Sequence, residues 1–523
     1  MIAKTFKSSF KKLLPAAAAS LLSACALVQY QPLPIINKVN PEEGYRLEKN
    51  WETKEHDDTY IILMFSGGGT RAAALGYGVL EELKRQKVWI GGKQSTLLEN
   101  IDLVYGVSGG SVLAAYFSLH GTETIPSFER RFLKQNFQRL VTKQAFSAAN
   151  MPRLASPEFG RGDLLQEQFE NTLFKDATFG DLLKHRKGPF AVISATDMSG
   201  AQRLDFTQEY FDAMCLNLSE LRIARAVAAS SSVPLVFAPI TLNNNGGNCG
   251  YVLPENLKQA VDSSDSQTLH DRTRQEIARK FMSYADSEKR PYIHLIDGGL
   301  TDNLGLGGLL DMTEVYSGNS LYRRALEMGS TKKIVIINVN AQNEQDTKID
   351  QSPEIPGIAS VLNAIVNIPI DQYSQESLRR IRAFADQWNN TARLNAQDDV
   401  GMYFISLNLR DLPDSPLRKE AINIPTTFYL PGQSINSLKR AGSTLLQQSP
   451  EYQRLLKALS SKPAPPRLWE VEDEPAPAAA SAASAVSAEP AIKVEVLPSP
   501  ATAPVVKPSA AEYLPSAASA PSP

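Results

Sequence analysis

The sequence predicts an α/β fold of three layers, a largely parallel central sheet flanked by helices, on two observations. Short apolar runs recur along the chain, at residues 60–65, 101–107, 190–195, 292–296, 334–339 and 403–407, with helical stretches between them. Strands buried on both faces read as such continuous runs, and their alternation with helices is the pattern of parallel crossovers. The second observation is that strand, glycine turn and helix follow one another twice, at residues 60–84 and again at 101–120. No internal repeat is present.

Taken in chain order, the elements begin outside the fold. Lys4, Lys7, Lys11 and Lys12 form a basic region ahead of an apolar run over residues 13–22, too short to span a bilayer, so residues 1–24 read as an export signal. Leu22-Ser23-Ala24-Cys25 resembles the bacterial lipobox, which implies that the Cys25 thiol is acylated and becomes the new N-terminus. Ala26, where retention at the inner membrane is associated with aspartate, implies the outer membrane, facing the periplasm. Residues 25–56, with Gln31-Pro32-Leu33-Pro34 and a charged, weakly apolar stretch, suit a tether between membrane and domain. The domain itself is expected over residues 57–462. The Pro-, Ala- and Ser-rich residues 463–523 have too few large apolar groups to offset the entropy of ordering, so a disordered tail is expected. It serves either as a passive extension or as an arm for a partner in the envelope.

Composition narrows the function classes. The 523 residues, 43% hydrophobic and 21% charged, are ordinary for a globular protein and enough for a large core. A net charge of -2 and the lack of a basic run with interleaved aromatics argue against nucleic acid as a partner. Apart from Cys25 the cysteines are Cys215 and Cys249, which either pair in an oxidising compartment or remain two buried thiols. The five histidines are scattered and no Cys-x-x-Cys occurs, so neither a metal nor another cofactor is expected.

Three glycine-bearing segments carry the chemistry. Gly106-Val107-Ser108-Gly109-Gly110 matches G-x-S-x-G at a strand-to-helix turn, where small neighbours permit the strained backbone that lifts a serine oxygen out of a sheet. Gly67, Gly68 and Gly69 follow the first strand; their amides can approach a substrate closely and hold an oxyanion. A phosphate loop is the competing reading, but neither Gly-x-Gly-x-x-Gly nor a following Lys-Ser or Lys-Thr pair is present. Arg71 either steadies this loop, contacts a lipid phosphate or makes a plain salt bridge. Asp297-Gly298-Gly299 ends a later strand, so the carboxylate can stand exposed at the same sheet edge as the serine, or cap its own turn.

The ordered trio of Gly67-Gly68-Gly69-Thr70-Arg71, Gly106-x-Ser108-x-Gly110 and Asp297-Gly298-Gly299, with Ala228-Ala229-Ser230-Ser231-Ser232-Val233-Pro234, Phe237 and Pro239 between them, resembles the patatin-like phospholipases over residues 60–456. Ser66 departs from the aspartate that plant patatins carry before the glycines. The resemblance implies a patatin-like three-layer fold and a Ser-Asp dyad in place of a triad, with Ser108 as nucleophile, Asp297 as base and the glycine loop as oxyanion hole. It implies a serine ester hydrolase acting on lipid through an acyl-enzyme. Because an ordinary Asp with pKa about 3.9 is a weak base, the dyad requires a partly desolvated carboxylate within about 3 Å of Ser108. Anchoring at a membrane points to phospholipase A or lysophospholipase activity on membrane phospholipid or another lipid ester. The apolar stretch at residues 358–370 lines an acyl-chain pocket or packs in the core. Two rivals remain: a Ser-His-Asp esterase using His120, His185, His270 or His294, and an envelope scaffold that has lost activity.

Overall fold

A computed structural model describes residues 28, 30–52, 58–262, 269–315, 332–343, 350–351, 353–394 and 400–459. The signal, Cys25 and the Pro/Ala/Ser-rich tail lie outside the described residues.

The apolar runs become an eight-stranded sheet. Strands β1 (Thr59–Phe65), β2 (Leu103–Val107), β3 (Phe190–Asp197), β7 (Lys333–Asn340) and β8 (Gly401–Asn408) form its body in the order β8-β7-β1-β2-β3, all parallel. Every residue of β1, β2 and β3 is buried, as a strand covered on both faces requires. Helix α1 (Gly69–Arg85) follows β1 directly and α2 (Gly109–His120) follows β2, so the two expected strand–turn–helix units form side by side. The fold class is as predicted.

The remaining strands depart from the parallel reading. Strands β4 (Gln202–Asp205), β5 (Ile240–Asn243) and β6 (Tyr292–Ile296) are all antiparallel to their neighbours. β6 was expected as a buried strand of the parallel body, yet Tyr292 and His294 are exposed while Ile293 and Leu295 are buried. Its placement follows from the ladder. Ser194 of β3 pairs Val107 on one flank and Asp205 on the other, and Thr196 pairs Arg203 of β4 and Ile296 of β6. A strand residue has one neighbour per flank, so β2 and β6 lie on the same flank of β3, end to end. β6 therefore runs down toward the C-terminal end of β2 and stops where β2 stops.

The N-terminal segment also corrects an expectation. From Tyr30 to Glu52 the chain that was expected to be a tether is strapped to the domain. The amides of Ile36 and Val39 donate to the carbonyls of Cys215 and Cys249, the Arg46 guanidinium pairs with Asp212 at 2.7 Å, and Tyr45 is wholly buried with its ring stacked on Phe190. Cys215 and Cys249 are joined in a disulfide, which settles the open alternative and ties together the two carbonyls that receive the strap.

Candidate active site

Ser108 sits in the turn between β2 and α2 with φ 51° and ψ -125°, a conformation that non-glycine residues adopt only where the surroundings impose it. Its amide donates to Ser230 Oγ at 2.8 Å, and that hydroxyl donates to the Ser194 carbonyl at 2.6 Å, which locks the turn to β3. The glycines are steric requirements: a Cβ on Gly109 would stand 2.0 Å from the Gly69 carbonyl oxygen, and one on Gly69, itself at φ +60°, 2.6 Å from the Thr427 carbonyl oxygen. The serine turn and the glycine loop thus abut, backbone to backbone.

Because β6 ends over β2, the residue after it meets the serine. Ser108 Oγ donates to Asp297 Oδ2 at 2.7 Å. The other carboxylate oxygen accepts the Gly299 amide at 2.8 Å, and the Asp297 carbonyl accepts from Thr196 Oγ1 at 2.8 Å, so the aspartate's orientation is held from both sides. Of the two expectations for Asp297, exposure at the sheet edge and the partial desolvation that a base requires, the structure has the second: it is buried, 8% exposed, and Ser108 is buried at 4%. Burial raises the carboxyl from its ordinary 3.8 to about 6, opposed by the hydrogen bonds from Ser108 and Gly299. The short helix α3 (Gly299–Asp302) behind it is pinned in turn, since Asp302 Oδ2 accepts the Gly308 amide at 2.9 Å and faces the buried Arg203 guanidinium.

The three loop glycines do not play equal parts. The Gly67 amide is spent on the Asn303 carbonyl at 3.1 Å. Among the described residues the amides of Gly68, Gly69 and Gly109 donate to no protein acceptor, as befits positions at helix starts with no carbonyl four residues back. Two donors from the loop and one from the residue after the serine are thus unengaged in one place. Arg71 is buried, 5% exposed, and makes no ion pair among the described residues. Its guanidinium donates to the Ile424 carbonyl at 3.0 Å and packs under Gly68, and burial lowers its pKa to about 10. Of the three roles open to it, loop support is what its contacts among the described residues express.

Reasoning on the sequence missed Gly109 as a donor, Ser230 as a brace and Asn303 as the acceptor that withdraws Gly67. Gly109 was within reach, since the residue after the nucleophile is the usual second donor of such elbows; Ser230 and Asn303 act only through tertiary contact. The apolar stretch 358–370 opens the long helix α4 (Ile358–Leu394), where Ile358, Ile365 and Ile368 are at least half exposed. His294 bonds Thr241 Oγ1 at 3.0 Å on the exposed side of β6, and His120 packs on Tyr116; neither contacts Ser108. A cavity of about 600 Å³ bounded by Arg203, Tyr210 and Phe281 contains neither Ser108 nor Asp297 and has no part in this geometry.

Residues 63–310 match the family model of the patatin-like phospholipases. No curated protein is significantly similar by sequence. Among solved structures, the chain is similar to human GIVD cytosolic phospholipase A2, at 12% identity and a TM-score of 0.39, covering 85% of this chain and 65% of that one. It is also similar to VipD from Legionella pneumophila (11%, TM-score 0.28, covering 84% and 72%) and to the type III effector protein ExoU (15%, TM-score 0.21, covering 77% and 78%). The chain thus spans less than two thirds of the human protein's length.

Proposed function

We propose that this chain, which carries a patatin-like phospholipase domain over residues 63–310, is a membrane-anchored lipid acyl hydrolase of the phospholipase A or lysophospholipase type, working through a Ser108–Asp297 dyad. The observation that carries the reading is the 2.7 Å hydrogen bond from Ser108 Oγ to a buried carboxylate, with unengaged amides beside it. As Oγ attacks the ester carbonyl, its proton passes to Asp297 Oδ2. The oxyanion is received by the amides of Gly68, Gly69 and Gly109, each such donor worth about 3 kcal/mol. Collapse breaks the ester bond, and the departing alkoxide takes the proton from Asp297. Water then attacks the acyl-enzyme, giving its proton to Asp297, and the fatty acid leaves as Ser108 regains its hydrogen.

The lipobox-like Leu22-Ser23-Ala24-Cys25 supports an acyl anchor at Cys25 and a place in the bacterial envelope, at the outer membrane facing the periplasm. No described helix is long and apolar enough to cross a membrane, so attachment of this region would rest on such an anchor and on surface contact. The test is fatty-acid release from phospholipid vesicles by wild type, Ser108→Ala, Asp297→Asn and His294→Ala. Release should fall by at least about three orders of magnitude in the first two variants and persist in the third. Equal activity of wild type and Ser108→Ala would remove the reading; loss with His294→Ala alone would move it to a histidine-based esterase.

A further inference from the structure

Only Ala26 and Leu27 separate Val28 from Cys25. Three Cα steps span at most about 11 Å, so an acylated Cys25 would hold the bilayer surface that close to Val28. Val28 and Tyr30 are fixed on the domain. The Val28 carbonyl accepts from Ser156 Oγ at 3.2 Å, the Tyr30 amide donates to Glu158 at 2.7 Å, and the Tyr30 ring meets Tyr292 edge-on, with its hydroxyl on Asn243 at 3.2 Å. Tyr292 and Asn243 are paired at the outer ends of β6 and β5. Tyr292 stands five residues before Asp297 on a strand that descends onto the serine, about 16 Å away along β6. The anchor point is therefore on the side where β6 extends past the end of β2, the same end at which Ser108 lies.

That end carries exposed apolar side chains. Leu235 is 75% exposed and Val236 50%, in the loop that follows Ser230 and Ser232, whose carbonyls accept the amides of Gly298 and Asp297. Met198, 51% exposed, donates its amide to the His294 carbonyl on β6, and Tyr292 is 52% exposed. The segment that binds Val28 and Tyr30 also reaches this rim, since Arg161 donates to the Leu235 carbonyl at 3.0 Å. Exposed apolar side chains gathered toward one end of a domain mark a contact surface, and a tether of three steps keeps that end beside the bilayer.

We infer that the acylated N-terminus and the rim of Met198, Leu235, Val236 and Tyr292 form one docking face that lays the Ser108 site on the leaflet holding the anchor, so that the substrate is phospholipid of the protein's own membrane. The inference rests on the proposed acylation of Cys25 and on Ser108 as nucleophile. Its test uses the full lipidated chain in phosphatidylethanolamine/phosphatidylglycerol vesicles labelled in one fatty acid, mixed with protein-free vesicles of the same composition carrying a different label. Release from the protein's own vesicles should exceed release from the others at least tenfold, and Leu235→Asp combined with Val236→Asp should lower the ratio of vesicle to soluble short-chain ester turnover by a similar factor. Equal release from both populations, or an unchanged ratio, overturns the docking face. A reading free of catalysis separates the two ideas: in Ser108→Ala, an environment-sensitive probe placed through Leu235→Cys should be quenched by brominated lipid in the protein's own vesicles. Absence of quenching overturns the docking face whatever the activity, whereas quenching without wild-type ester hydrolysis overturns the catalytic reading and leaves docking standing.

Discussion

At the scale of single residues, the site turns on one buried carboxylate. An ordinary aspartate is too acidic to deprotonate a serine usefully, and burial brings Asp297 to about 6. Only the ionised form accepts the Ser108 proton, so kcat/KM should be flat above pH 7 and fall about tenfold per unit below 6, which a pH–rate profile on a soluble ester will read. The same shift bears on stability with the opposite sense. A carboxyl raised from 3.8 to about 6 contributes stability that is fully present below the lower value and lost as pH rises through the upper one, about 3 kcal/mol in all. Asp297→Asn keeps the shape without the charge. It should therefore unfold at higher denaturant than wild type at pH 7, and the gain should vanish near pH 4; a variant no more stable at pH 7 would contradict the burial cost. Ser108, Asp297 and the glycine loop were all legible in the sequence, because each requires a residue type at a turn. The diversion of the Gly67 amide to Asn303 was not, since it depends on a residue far away in the chain.

At the scale of elements, the Ser108–Asp297 hydrogen bond forms because β6 is antiparallel and ends over β2. Periodicity located β6 to the residue but could not give its direction, since a short apolar run reads the same in either sense. The N-terminal strap was misread for a related reason. Its polar, proline-bearing composition is that of a linker, and what holds it is a set of main-chain bonds to Cys215 and Cys249 that no local pattern announces. The disulfide closes a separation of 34 residues, which on chain-entropy grounds is worth about 3 to 4 kcal/mol. Cys215→Ser with Cys249→Ser should lower the unfolding free energy by that amount and raise protease sensitivity between residues 30 and 52 in particular. Uniform sensitivity along the chain would mean that the strap does not depend on the bridge.

At the scale of the whole molecule, the proposed anchor, the strap and the exposed rim lie toward the end of the sheet at which Ser108 is found. A hydrolase held this way meets its substrate by lateral diffusion in a surface, where the local concentration of ester far exceeds any free concentration in solution. Ester hydrolysis by this chain depends on Ser108 being the residue that is acylated. The most direct measurement is peptide-resolved mass spectrometry after reaction of wild type, Asp297→Asn and Ser108→Ala with a long-chain fluorophosphonate. The account predicts one adduct, on Ser108, formed quickly in wild type, at least a hundredfold more slowly in Asp297→Asn, and not at all in Ser108→Ala. An adduct on another residue, or equal rates with and without the Asp297 carboxylate, would contradict it.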